Sequence, residues 1–201
     1  SFNTGTGLFG GSDGFMGNAI ALQSDGKVIV AGRFGSYNGY GVQNIVRIHT
    51  DGRVDTTFYL NFYRGEPVTA MAIQNDDKII IGGRNGYHYN IVKRLNANGR
   101  LDTTFHIGYV NYFGSGDLSS AYSIAVQSDG KILVGGYFTN YDSQNARSIV
   151  RLNFNGRIDT SFQRSIPFSY VETIAIQEDG KILVGTAPSS VSSGLGSYNI
   201  Y

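Results

Sequence analysis

The stretch IAVQSDGKILVGG, Ile124 to Gly136, decides how this chain is read, because it recurs. ALQSDGKVIVAG (Ala21 to Gly32), MAIQNDDKIIIGG (Met71 to Gly83) and IAIQEDGKILVG (Ile174 to Gly185) are further copies of it. Aligned on Gln23, Gln74, Gln127 and Gln177, the copies lie 51, 53 and 50 residues apart. A second motif follows the first three: VRIHTDGRVDTTF ending at Phe58, KRLNANGRLDTTF ending at Phe105 and VRLNFNGRIDTSF ending at Phe162. A fixed period near 50 residues is the signature of a repeat architecture, in which each unit buries its apolar face against its neighbours.

The units read as β-structure. Val28-Ile29-Val30, Ile79-Ile80-Ile81 and Ile132-Leu133-Val134 are apolar on both faces, as in strands sandwiched between sheets. The Asp-Gly and Asn-Gly pairs supply the positive φ that tight hairpins demand. Four antiparallel strands per unit are expected. Strand a ends at the glutamine, b follows the SDGK-like turn, c is the IVRLN-like run, and d is a short strand closing on the phenylalanine. Repeated four-stranded meanders make β-propeller blades. The hairpins reverse the chain and so exclude a parallel β-helix, and no helical period persists. The expected fold is therefore all-β, a propeller of about four repeats in one domain spanning 1–201, with units near 3–58, 59–105, 106–162 and 163–201. The first and last units are cut mid-unit. The chain is accordingly expected to belong to a larger propeller or to associate with other copies that supply the missing strands.

Composition narrows the partners. Sixteen basic against fifteen acidic residues leave +1, with no basic run, which argues against nucleic acid. There are no cysteines, so disulfides and thiolate chemistry are excluded. No apolar run approaches the roughly 18 residues of a spanning helix, so membrane insertion is not expected.

QSDGKILVGG followed about 20 to 25 residues later by RLNxNGRxDTSF closely resembles the delta-sixty repeat family, a bacterial and phage β-propeller repeat of largely unassigned function. The resemblance runs through Gln127, Asp129, Gly130, Lys131, Gly135, Gly136, Arg151, Leu152, Asn153, Gly156, Asp159 and Phe162 and their counterparts. It implies an exported protein, extracellular, on a cell surface or virion-associated. Asp77 replaces the expected turn glycine, which predicts a changed turn there, and Thr186 replaces a glycine of strand b.

Up-and-down topology puts the repeated a–b and c–d turns on one face of the disc. The divergent b–c loops (Arg33 to Asn44, Arg84 to Tyr89, Tyr137 to Ser148, Thr186 to Ser197) and the d–a links go to the other. Scaffold turns repeat while working loops diverge. Rich in Tyr, Asn, Gly and Ser, these loops suit a protein partner or a surface glycan. Tyr37, Tyr40, Tyr87, Tyr89, Tyr137 and Tyr141 would supply stacking area, and Asn38, Asn85 and Asn140 hydrogen bonds. The competing reading is that these aromatics plug the rim between blades.

Recurrent residues read as scaffold. Asp25, Gly26, Asp129, Gly130, Asp179 and Gly180 build the first turn, and Asp55, Asp102 and Asp159 pin the start of strand d. The recurrent Arg47, Arg94 and Arg151 are expected to reach across to that aspartate segment, and the recurrent lysines to the turn aspartates. NANGRLD has oxygen-ligand spacing around a glycine but lacks a terminal Glu and carries an Arg, so an ordinary hairpin is preferred to calcium. His49, His88 and His106 are not equivalently placed, and neither metal nor cofactor is expected. The leading expectation is a non-enzymatic structural or adhesion module. The alternatives are a polysaccharide hydrolase using Glu66, Asp117, Asp142 or Glu172, or a purely architectural assembly component.

Overall fold

The computed structural model describes residues 5–10, 16–58, 67–83, 91–111, 119–162 and 170–187. Unit 1 contains β1 (Leu8–Phe9), β2 (Met16–Leu22), β3 (Val28–Arg33), β4 (Ser36–Tyr37), β5 (Tyr40–Gly41) and β6 (Ile45–Ile48). Unit 2 contains β7 (Val68–Ile73), β8 (Ile79–Gly83) and β9 (Val92–Leu95). Unit 3 contains β10 (Val110–Asn111), β11 (Ser120–Val126), β12 (Ile132–Tyr137), β13 (Asn140–Tyr141), β14 (Gln144–Asn145) and β15 (Ile149–Leu152). Unit 4 contains β16 (Tyr170–Ile176) and β17 (Ile182–Ala187). The fold is all-β: the blade sheets run β2-β3-β6, β7-β8-β9, β11-β12-β15 and β16-β17, every pairing antiparallel.

The fourth strand is shorter than the repeat pattern implies. Each of the first three units carries one isolated bridge in its place: Ile48 with Val54, Leu95 with Leu101, Leu152 with Ile158. The aspartate after each bridge ends the pairing. Asp55 Oδ1 accepts the Thr57 N–H at 2.9 Å, and the Phe58 N–H donates back to the Asp55 carbonyl, turning the chain out of the ladder. Asp102 and Asp159 turn the chain in the same way through Thr104 and Ser161.

Asp77 also differs from expectation. It adopts φ 60°, close to the 83°, 81° and 81° of Gly26, Gly130 and Gly180, so the turn is kept rather than changed. Asp is among the few residues that tolerate this region. Its carboxylate also accepts from the Ser24 N–H at 2.9 Å and from the Ser24 hydroxyl of unit 1.

Between units the apolar faces interlock. Ile29, Ala31 and Ile45 of unit 1 pack on Val68, Ile79 and Ile81 of unit 2. Ile80 and Val92 meet Ala121, Ile132 and Val134, and Leu133 and Ile149 meet Val171, Ile174 and Val184. The approach is close enough to require glycine: a β-carbon on Gly135 would fall 2.4 Å from Val171.

A buried arginine crosses the first two joints. Arg47 Nε donates to Asp55 at 2.9 Å, and its Nη1 donates to the Ala97 carbonyl of unit 2 at 2.6 Å. Arg94 does the same, to Asp102 at 2.8 Å and to the Phe154 carbonyl of unit 3 at 2.6 Å. Both also reach the glutamine of their own unit, Gln23 and Gln74, and stack on Phe58 and Phe105. Arg151 keeps Asp159 at 2.9 Å and Phe162, but its side chain is 18% exposed where that of Arg94 is 2% exposed. Burial works to raise the Asp102 carboxyl. The Thr104 hydroxyl, the Lys78 ammonium, the Thr104 amide and Arg94 overcome it and hold the group well below the usual carboxylate range. The Ser161 hydroxyl, working against desolvation with help from the Ser161 amide and Arg151, brings Asp159 to about 2.

Arg94→Ala leaves Asp102 buried without its partner and is expected to cost about 3–5 kcal/mol. Arg151→Ala should cost under about 2 kcal/mol, since water already screens that pair. Urea unfolding midpoints measure both. Because the Asp159 carboxyl is lowered in the folded state, the unfolded chain binds its proton first as pH falls. Its stabilisation should be complete above about pH 5 and fall away from pH 4 towards 2, and Asp159→Asn should flatten that acid limb of a thermal-melt series.

Candidate functional site

The divergent connections of units 1 and 3 fold alike. Each b–c loop makes a two-residue hairpin, β4–β5 and β13–β14, and each hairpin pairs with a strand of the preceding link, β1 and β10. Asn38-Gly39 (φ 48° and 80°) and Asp142-Ser143 (φ 49° and 63°) supply the two positive-φ residues of a type I′ turn. The turn's first side chain ties down the link: Asn38 Oδ1 accepts from the Gly7 N–H at 2.7 Å, and Asp142 Oδ1 from the Tyr109 N–H at 2.9 Å. Asp142 Oδ2 lies 2.6 Å from His106 Nε2, so both oxygens of this carboxylate are engaged.

These hairpins lie against the outer part of their own blades rather than standing free. Tyr37 packs with Phe34, Val42, Val46 and Ile48, and Tyr141 packs with Phe138, Val150 and Leu152 and with Ile91 and Phe105 of unit 2. The Tyr37 hydroxyl donates to the Gly52 carbonyl at 3.1 Å, and the Tyr141 hydroxyl accepts from the Gly108 N–H at 3.1 Å. A β-carbon on Gly108 would fall 2.0 Å from the Tyr141 ring. Burial pushes the Tyr141 phenol upward. Tyr37 and Tyr141, expected to offer stacking area, are therefore corrected to buried pegs: with no exposed ring face they hold the hairpin in place. Asn38 likewise has its carbonyl oxygen committed to the link. Asn140 lies half-buried in β13, between Asn111 and Asn145.

Tyr40 is exposed on the first hairpin. Tyr137 ends β12 at the loop side of unit 3, where it meets Tyr170, the first residue of β16 in unit 4, edge to face with ring centroids 6.1 Å apart and planes at 88°. Tyr122, exposed at the β11 bulge, meets Tyr170 at 6.4 Å and 70°. Three tyrosines thus cluster across one joint at the end where the divergent loops attach. Sequence alone singled out Tyr137. Tyr122 lies in strand a of the same sheet and Tyr170 opens strand a of the next, so the three meet only through the packing of unit 4 on unit 3. Asn85, Tyr87, Tyr89, Glu66 and Asp117 lie outside the described residues. Glu172 is exposed at the unit 4 bulge. Among the described residues no cluster of three or more His, Asp or Glu has metal-binding geometry.

The recurrent turn residues have local partners. Lys27, Lys131 and Lys181 pair with Asp25, Asp129 and Asp179 at 2.6, 3.1 and 2.5 Å, and Lys78 reaches Asp102 at 3.0 Å. Each turn aspartate also accepts the amide of the residue two further on.

Ser143 has φ 63°, where a β-carbon is crowded. Ser143→Gly is therefore expected to stabilise the chain by about 1 kcal/mol. A shift of the urea midpoint to higher concentration with unchanged slope measures it.

Comparison with solved structures places this geometry among propellers. Virginiamycin B lyase from Staphylococcus aureus has a TM-score of 0.54 at 17% identity, with 98% of this chain and 55% of that chain covered. The WD40 β-propeller domain of Doa1 has a TM-score of 0.52 at 19% identity, with 81% and 44% covered. PorZ, a surface component of the type-IX secretion system of Porphyromonas gingivalis, has a TM-score of 0.50 at 13% identity, with 86% and 25% covered. The chain thus spans a quarter to about half the length of these proteins, and the likeness is one of fold. No curated relative matches by sequence. The family described as "Domain of unknown function (DUF5122) beta-propeller" matches residues 23–58, 74–105 and 127–162, each match running from the glutamine of strand a to the phenylalanine that closes a unit. With half of its length so matched, the chain belongs to this β-propeller repeat family.

Proposed function

We propose that this propeller segment is a non-enzymatic adhesion module, exposed outside the cell, that holds a surface glycan on the tyrosines of its divergent side. The observation that carries this reading is the Tyr122–Tyr170–Tyr137 cluster, two edge-to-face contacts across the joint of units 3 and 4. Aromatic rings held by one another lose little freedom on binding, and they offer the apolar C–H face of a sugar a flat, amphipathic surface. A structural role for the loop carboxylate Asp142 is supported by its bonds to the Tyr109 amide and to His106, which tie the hairpin to the preceding link. The delta-sixty resemblance of the QSDGK and NGRxDT motifs supports an exported setting. So does the use of the same fold by PorZ, described as a bacterial surface component.

The test is an array of bacterial and host-cell glycans probed with the purified chain. A hit should lose tenfold or more in affinity on Tyr122→Ala or Tyr137→Ala, the loss expected when a stacking ring is removed. Tyr122→Ala is the cleaner variant, since that side chain is exposed and its removal leaves the fold alone. Full binding by both variants, or an array without a hit, would defeat the reading.

A further inference from the structure

The four copies of strand a differ in kind at one register position. Three residues before the glutamine stand Ile20, Ile124 and Ile174, but in unit 2 the residue is Met71. The strand-b partner changes with it. Ile20, Ile124 and Ile174 pair with Val30, Val134 and Val184, whereas Met71 pairs with Ile81. An unbranched, flexible side chain thus stands opposite the bulkier partner, and methionine fills the space that a second branched residue would crowd.

Met71 lies on the joint of units 1 and 2. It packs against the cluster formed by Ile29, Ala31 and Ile45 of unit 1 with Val68, Ile79 and Ile81 of unit 2. Those six are buried, while Met71 is only partly so, which leaves it within reach of a molecule little larger than water. The chain has two methionines and no cysteine, so no thiol of its own competes for an oxidant.

We propose that Met71 is a site of reversible oxidation, and that hydrogen peroxide acting there loosens the joint of units 1 and 2. The thioether sulfur attacks one oxygen of the peroxide, the O–O bond breaks and an S–O bond forms. Sulfur gives up two electrons, and the remaining peroxide oxygen leaves as water. The sulfoxide is polar where the thioether was apolar. Its oxygen either faces the cluster, where Ile29, Ala31, Ile45 and Ile81 offer no side-chain donor, or turns to water and draws the side chain out of the joint. Apolar contact is lost in both cases. The polar ties of this joint contain no sulfur and persist: Arg47 to the Ala97 carbonyl, Asn18 to the Val68 carbonyl and the Ser24 amide to Asp77. The joint is therefore softened rather than released, and the joints that carry Ile124 and Ile174 are untouched.

The test treats the purified chain with hydrogen peroxide, locates added oxygen by peptide mass mapping and follows the thermal midpoint. One oxygen is expected on Met71 of the folded chain, with the midpoint lowered by about 3 °C or more. The two stereospecific methionine sulfoxide reductases should restore the midpoint, a dithiol becoming a disulfide as the oxygen leaves as water. Met71→Leu, which conserves volume, should keep its midpoint through the same treatment. Met71→Gln, which puts a polar group there without peroxide, should show a lowered midpoint from the outset. A Met71 that stays unoxidised in the folded chain overturns the proposal, as does an oxidised chain with an unchanged midpoint. So does a fall that the reductases do not reverse, or an equal fall in Met71→Leu, which would assign the effect to Met16.

Discussion

The structure depends on a charged group held out of water at its first two joints. The guanidinium of Arg94 is buried between two blades, and burial of that kind is tolerable only when every donor finds an acceptor and the charge finds its counter-ion. Asp102, Gln74 and the Phe154 carbonyl provide these, with Phe105 and Phe154 closing over the plane at 4.7 and 4.6 Å. One end of the cation is fixed within its own unit and the other on the backbone of the next. The apolar faces supply most of the favourable burial but little orientation. The arginine supplies a fixed position, since a blade sliding by one residue would strip the cation of its carbonyl. Lys78 and Thr104 converge on the same aspartate, so the turn, the strand and the neighbouring blade meet at one carboxylate.

Much of this is legible in the sequence. The 50-residue period, the both-sided apolar runs and the Asp-Gly turns specify stacked hairpin sheets, because period-2 strands joined by tight turns have few other ways to bury both faces. The pairing of Arg with Asp eight residues later was also readable, since a repeated charge of each sign in a β-unit is most simply explained by the same bond made each time. Two local features were not. Asp77 looked like a broken turn, yet its carboxylate gains Ser24 across the joint, and that partner is invisible at a separation of 53 residues. The fourth strand reads as a short strand reaching the phenylalanine because Val54 and its equivalents have β-character, but an aspartate side chain competes for the next amide and ends the ladder after one bridge.

The divergent side was legible in outline and misleading in detail. Composition marks the loops as tyrosine-rich, but composition cannot say which ring is a wedge and which is a surface. Tyr37 and Tyr141 sit one residue before a type I′ turn, on the row that faces the blade, and so they go inward. Tyr137 precedes its hairpin and points across the joint instead. Units 1 and 3 share this rim module despite loops that differ at most positions, so the shared part is the turn geometry and the buried ring, while the exposed residues around it are free to vary.

Each strand a also carries a bulge at one depth, between Gly17 and Ala19, Val68 and Ala70, Ala121 and Ser123, and Val171 and Thr173. In the first two units the extra residue reaches forward: Asn18 donates to the Val68 carbonyl, and Thr69 to the Ala121 carbonyl. The arginines run the same way. With the hydroxyl, amide and guanidinium donors of these first two joints aimed downstream at backbone oxygens, the arc has a sense, like an arrow. A blade added upside down would set donor against donor, so every blade of this repeat must join in the same orientation.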